Sequence, residues 1–191
     1  MSDKNNGAHI SAQSRKTIML AKMGMMLAIS VVFLFIPTFP MLPGVDFIHC
    51  EFSDIPILIS AFAFGTPAGL VIATLTVLFD VILGHAQAVP YGPLMHLIAI
   101  ATYALVAGLI YGRRKNLKHA VVGLICGILA MTAIMVPANL IVTPAFLGVP
   151  VQAITPLILP AIVPANIMKG LLAAVLTFIL YKRVSPFLHK W

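Results

Sequence analysis

Lys169 stands inside the apolar run from Leu157 to Tyr181. An ammonium at membrane depth costs about 2.5–3.5 kcal/mol on insertion scales, so such a residue is read first as a binding or transport group. Asn166 lies three residues earlier, on the same helical face. Pro160 and Pro164 precede both, and each removes a backbone donor and frees nearby carbonyls. The chemistry on offer is hydrogen bonding to a polar ligand, with an ammonium to donate and an amide to donate or accept. The alternative is structural: Lys169 snorkels, or pairs with Asp80.

Other candidates are spread along the chain. Asn139 follows Pro137 and could face Asn166 across a helical bundle. The alternative for it is an interhelical hydrogen bond alone, worth about 0.6 kcal/mol on average. His96, within Tyr91-Gly92-Pro93-Leu94-Met95-His96, lines the same cavity or packs as a hydrogen-bonded histidine. Asp80 is a carboxylate inside a helix, the type of group a proton-coupled carrier needs. Asp54 precedes Ile55-Pro56, which places it as a helix N-cap, and Glu51 could reach a ligand. A metal site from His49, His85 and His96 lacks the local ligand spacing zinc sites show. Cys50 and Cys126 have no CxxC pattern and read as packing residues. No metal and no cofactor is expected.

The elements that must hold these residues follow from composition. Mean hydropathy is +1.06 and 61% of residues are hydrophobic, too apolar for a soluble domain to cover with polar surface. The bilayer is the natural solvent, and the cell membrane the expected location. Twelve Lys and Arg stand against five Asp and Glu. Most of the basic residues fall in three clusters: Lys4 to Lys22, the run Arg113-Arg114-Lys115-Asn116-Leu117-Lys118, and Lys182, Arg183 and Lys190. They bracket apolar segments instead of forming one helical face, so nucleic acid is not expected as a partner, and anionic lipid headgroups are.

An all-α membrane bundle of six spans accounts for this pattern: about Thr17–Ile36, Ile55–Phe64, Ala68–Leu83, Pro93–Tyr111, His119–Val142 and Leu157–Tyr181. The first run is long enough to span at about 20 residues and exceeds a signal-peptide core, so it is a retained helix. With the N-terminus inside, six crossings put all three basic clusters on the cytoplasmic side. The loops 37–54, 84–92 and 143–156 then face outward. Spans two and three are short, so they end below the surface or are partly re-entrant beside protein or a cavity. Residues 1–16 form a basic cytoplasmic arm, 17–186 the membrane domain and 187–191 a cytoplasmic tail. Ala21, Gly24 and Ala28 form a small-residue stripe that lets another helix approach closely, inside the bundle or in a partner. There is no Walker A motif and no nucleophile–base pair, so an enzyme is not expected.

The segment His49-Cys50-Glu51-Phe52-Ser53-Asp54-Ile55-Pro56, then Phe64-Gly65-Thr66-Pro67-Ala68-Gly69, resembles the first-loop signature of riboflavin-binding S components of energy-coupling factor (ECF) transporters. Asn139-Leu140-Ile141-Val142-Thr143-Pro144 is similar to their span-five element. The segment Ile162-Val163-Pro164-Ala165-Asn166-Ile167-Met168-Lys169-Gly170, running on to Pro186 near the end of the chain, resembles the same family. The resemblance covers about residues 17–186. It implies six helices with both termini cytoplasmic, and an outward-facing cavity that binds a vitamin under the first loop. It also implies a coupling transmembrane subunit and two ATPase subunits as partners.

By the same resemblance, Asn139, Asn166 and Lys169 hold the polar ribityl side of a flavin. Ala21, Gly24 and Ala28 dock the coupling subunit. Phe47, Phe52, Tyr91, Met95 and Phe146 are candidate apolar walls; His96 and Glu51 complete the candidate ligand contacts. The chain departs from riboflavin binders at Met95-His96-Leu97, where they carry Asn-Phe. It departs again at Phe79-Asp80, where they often carry Lys-Asn, and at Leu140, where an aromatic is usual. Riboflavin is the leading ligand. Pantothenate or a hydroxymethylpyrimidine-type precursor stays open, since Lys169 and His96 also suit a small anion. A standalone proton-coupled carrier built on Asp80 is the reading from another class.

Overall fold

The computed structural model describes residues 3–41 and 48–189, with side chains over 13–41, 48–181 and at Arg183. Expectations placed on Phe47 and Lys190 fall outside these residues. The chain is mostly helical: α1 (Asp3–Leu34), α2 (Asp54–Ala63), α3 (Thr66–Ile82), α4 (Tyr91–Arg113), α5 (Leu117–Leu147), the single turn α6 (Val151–Ile154) and α7 (Val163–His189). Two short strands, β1 (Phe39–Pro40) and β2 (His49–Cys50), pair antiparallel and pin the first loop, with Phe39 opposite Cys50 and Pro40 opposite His49.

Four helical stretches are long and apolar enough to cross a membrane: Gln13–Leu34, Tyr91–Arg113, Leu117–Leu147 and Val151–Tyr181. Asp54–Ala63 and Thr66–Ile82 are shorter apolar helices, where the sequence placed its two short spans. A helix that is apolar all round must be buried. Accordingly, α2 runs through the middle of the bundle, with Ile57 and Leu58 inaccessible. It turns into α3 at Gly65, whose φ of 98° suits glycine, and Pro67 sits in the first turn of α3.

The boundaries differ from expectation in the second half. The segment 143–156 was expected to be a loop, but α5 continues through Pro137 and Pro144 to Leu147 and stops at Gly148, in the left-handed conformation. Proline is tolerated inside such helices where neighbours re-satisfy the freed backbone groups. The start of the sixth span is irregular: a 3-10 turn at Thr155–Leu157 and a π turn at Ile158–Ile162 lead into α7. Pro160 and Pro164, four positions apart, explain why a regular helix does not form there. At its other end α5 is capped by Asn116, whose Oδ1 accepts from the His119 backbone N–H at 2.8 Å.

Helices α4 and α5 pack closely because glycines face them. A Cβ on Gly123 would lie 2.8 Å from the Ala107 carbonyl oxygen, and one on Gly127 would lie 2.5 Å from the Tyr103 ring. Tyr103 is buried and its hydroxyl donates to the Gly170 carbonyl at 3.2 Å, tying α4 to α7 one residue after Lys169. Near their far ends, Tyr111 and Tyr181 share a hydrogen bond of 2.8 Å beside the Phe62 ring. These contacts fix α2, α4 and α7 relative to one another, and all three carry site residues at their opposite ends.

Candidate functional site

The first loop, α2, α4 and α7 bring four ionisable side chains into one ring. His96 Nε2 lies 2.8 Å from Asp54 Oδ1, and Nδ1 lies 2.5 Å from Glu51 Oε2, in ion-pair contact off the best hydrogen-bonding angle. Lys169 Nζ lies 3.5 Å from Glu51 Oε1 and 3.7 Å from Asp54 Oδ2. Each acid therefore touches both bases. Asp54, His96 and Lys169 are buried, while Glu51 remains partly open. Both imidazole nitrogens face carboxylate oxygens, so the ring is complete only when both carry protons. Burial works against ionisation of Glu51, but His96 and Lys169 outweigh it and hold the carboxyl down at about 2. Burial, with Asp54 adding to it, pushes the neighbouring Cys50 thiol up to about 11.

A cavity of about 600 Å³ opens beside the ring. That volume lies in the range of small-molecule sites. Every residue the sequence marked for ligand contact lines it: Glu51, Met95, His96, Asn139, Asn166 and Lys169. Four of the five expected apolar walls, Phe52, Tyr91, Met95 and Phe146, line it too, with the Tyr91 and Phe146 rings 6.0 Å apart. Phe47 lies outside the described residues. Both amides bond back to the carbonyl four residues earlier in the chain. Asn139 Nδ2 donates to the Met135 carbonyl at 2.7 Å, and Asn166 Nδ2 to the Ile162 carbonyl at 2.8 Å. Thr143 donates to Asn139 Oδ1 at 2.9 Å. Asn139 and Asn166 thus share the cavity wall without bonding each other among the described residues. Each keeps a second amide N–H.

One expectation is corrected, and two alternatives weighed beside the expectations are not realised. Asp54 does not cap α2: Ser53 holds the N-cap position, no side-chain cap bond forms, and the Asp54 carboxylate turns inward to His96 and Lys169. Lys169 pairs with Glu51 and Asp54, not with Asp80. The histidines considered for a metal do not converge; the grouping with metal-ligand geometry is Glu51, Asp54 and His96, their ligand atoms within 4.8 Å of one another. The Lys169 ammonium already supplies a cation to both carboxylates there, so the chain's own charges balance the cluster. Asp54 was the residue missed as a site member. Its signal was local spacing that fits a cap equally well.

The small-residue stripe is not packed inside the bundle. Ala21, Gly24 and Ala28 are exposed, and nothing lies within 4 Å of where a Gly24 Cβ would be. The opposite face of α1 packs through Met26 and through Ser30, whose hydroxyl donates to the Ser53 carbonyl at 2.9 Å and accepts from Thr76 at 3.0 Å.

Comparison with known proteins bears on this arrangement. The chain is similar to "Riboflavin transporter RibU" of Staphylococcus aureus (strain TCH60), 27% identical over 192 residues, covering 97% of this chain and 99% of that protein. It is similar to "Riboflavin transporter FmnP" of Bacillus subtilis (strain 168), 28% identical over 160 residues, 80% of this chain and 83% of that one. A solved structure described as "Structure and mechanism of the S component of a bacterial ECF transporter" superposes with a TM-score of 0.79 at 30% identity. It covers 92% of this chain and 99% of its own. The model of the family "ECF transporter, substrate-specific component" matches residues 19–181, and the chain belongs to that family.

Proposed function

We propose that this chain captures riboflavin at the outer face of the membrane and hands it to an ATP-driven ECF module. The family is a transporter's substrate-binding component, not an enzyme, and the chain is a multi-pass protein of the cell membrane. The observation that carries the ligand assignment is the convergence of Asn139, Asn166 and Lys169 with aromatic walls on one cavity of about 600 Å³. The amides and the ammonium hydrogen-bond the ribityl hydroxyls, while Phe52, Tyr91, Met95 and Phe146 cover the ring system. Relatives that carry the name riboflavin transporter support this reading. Capture needs no chemistry: binding energy comes from ring burial and a few placed polar contacts.

The two shorter helices complete six membrane segments, with the first loop outside and both termini cytoplasmic. That places the basic clusters inside and the membrane domain over 17–186, between the N-terminal arm and the tail. The exposed Ala21-Gly24-Ala28 face of α1 docks the coupling transmembrane subunit, which two ATPase subunits energise. Lys169 and His96 already face two carboxylates, so neither offers an unpaired cation to pantothenate. Family membership replaces the standalone-carrier alternative.

The test is titration of the purified protein with riboflavin, read by quenching of flavin fluorescence. Saturable quenching at nanomolar ligand is expected. Flavin emission unchanged at micromolar protein would remove riboflavin as the ligand.

A further inference from the structure

Asp80 lies near the end of α3, half-buried, and it lines the cavity without an ion pair among the described residues. The rest of the charge around the cavity is committed. Glu51 and Asp54 carry two negative charges, and Lys169 with a doubly protonated His96 carries two positive ones, so the ring balances itself. The other titratable side chains on the wall are His49, His85 and Tyr91, with His85 edge-on to the Phe35 ring at 4.5 Å. Beyond the balanced ring, Asp80 is the acidic residue on the cavity wall, and it adds one negative charge that no ion pair offsets among the described residues.

We propose that Asp80 is a specificity-determining residue that favours a neutral ligand over an anionic one of the same shape. The inference rests on the flavin reading of the cavity. A cleft with low-dielectric walls focuses the field of a charge placed on it. A ligand bearing a phosphate or carboxylate meets that field as repulsion, and discrimination by repulsion leaves the attractive contacts to the preferred ligand untouched. Free flavin and its 5′-phosphate share the ring and the ribityl chain and differ by a phosphate of about −1.5 to −2 charge, so they form a matched pair of probes.

The experiment titrates the full-length protein and Asp80→Asn with riboflavin and with flavin mononucleotide, by fluorescence quenching at low salt. The wild type is expected to prefer riboflavin by about tenfold or more, the size of effect one like charge exerts across a partly desolvated site. Asp80→Asn, nearly isosteric, is expected to narrow that preference about three- to tenfold by tightening flavin mononucleotide, with riboflavin within about twofold of wild type. Asp80→Ser is the second variant if Asn yields no folded protein. An unchanged preference in a folded Asp80 variant overturns the proposal, because the discrimination is then steric. Equal affinity of the wild type for both probes overturns it too. A wild type that binds neither flavin overturns the flavin reading itself, and this inference with it.

Discussion

Lys169 Nζ lies 3.5 Å from Glu51 Oε1, so a side chain of α7 is tied to the loop that borders the cavity. The same ammonium reaches Asp54 at the start of α2, and His96 of α4 closes the ring. Polar ligand contacts and loop position therefore depend on one set of charges. A ligand hydroxyl bound to Lys169 meets an ammonium already oriented by two carboxylates, which is how a buried charge is kept in place.

Asp54 holds this arrangement without lining the cavity. Replacing it with Asn removes one negative charge from a buried, balanced set. Breaking a buried pair in this way costs about 3–5 kcal/mol. Asp54→Asn should lower the melting temperature in detergent and weaken ligand binding together, while Asp54→Glu recovers part of both. A melting temperature equal to wild type would show that Asp54 carries no such burden.

The fold is largely legible in the sequence, and the site partly. Lys169 is visible in sequence because an ammonium is costly in an apolar run, and Asn139 and Asn166 because each sits beside prolines in one. The partners of Lys169 were not readable. Glu51 and Asp54 precede it by more than a hundred residues, and local spacing made Asp54 look like a cap. Pro144 and Gly148 read as loop residues, yet α5 runs through the proline and uses the glycine only to stop. In water that proline would end a helix; inside a bundle the neighbouring helices support it.

Glu51 sets a pH expectation. Its carboxyl is held down from the ordinary 4.5 to about 2, so the stabilisation it contributes is fully present above about pH 4.5 and is lost as pH falls through about 2. Thermal stability attributable to Glu51, measured as the difference between wild type and Glu51→Gln, should therefore not shrink as pH falls from 7 to 5. A difference that shrinks between pH 7 and pH 5 would show that Glu51 is not held as an ion-paired carboxylate.

Cys50 gives a chemical probe of the first loop. It is buried in β2, and its thiol is pushed up to about 11, so at pH 7.5 almost none is thiolate. Alkylation of Cys50 by iodoacetamide, followed by mass spectrometry in a Cys126→Ser background, should be at least about tenfold slower than for an exposed model thiol of ordinary pKa near 8.5. Labelling at the model rate would mean the loop does not cover Cys50 in solution.

The central claim is that Asn139, Asn166 and Lys169 bind the polar side of riboflavin in this cavity. The most direct measurement is riboflavin titration of wild type, Asn166→Ala and Lys169→Ala by fluorescence quenching, with melting temperatures confirming that each variant is folded. Nanomolar affinity in the wild type is expected, with a loss of about 100-fold or more in each folded variant, as for removal of a charged or buried hydrogen-bond partner. Wild-type affinity retained in folded Lys169→Ala and Asn166→Ala would contradict the site.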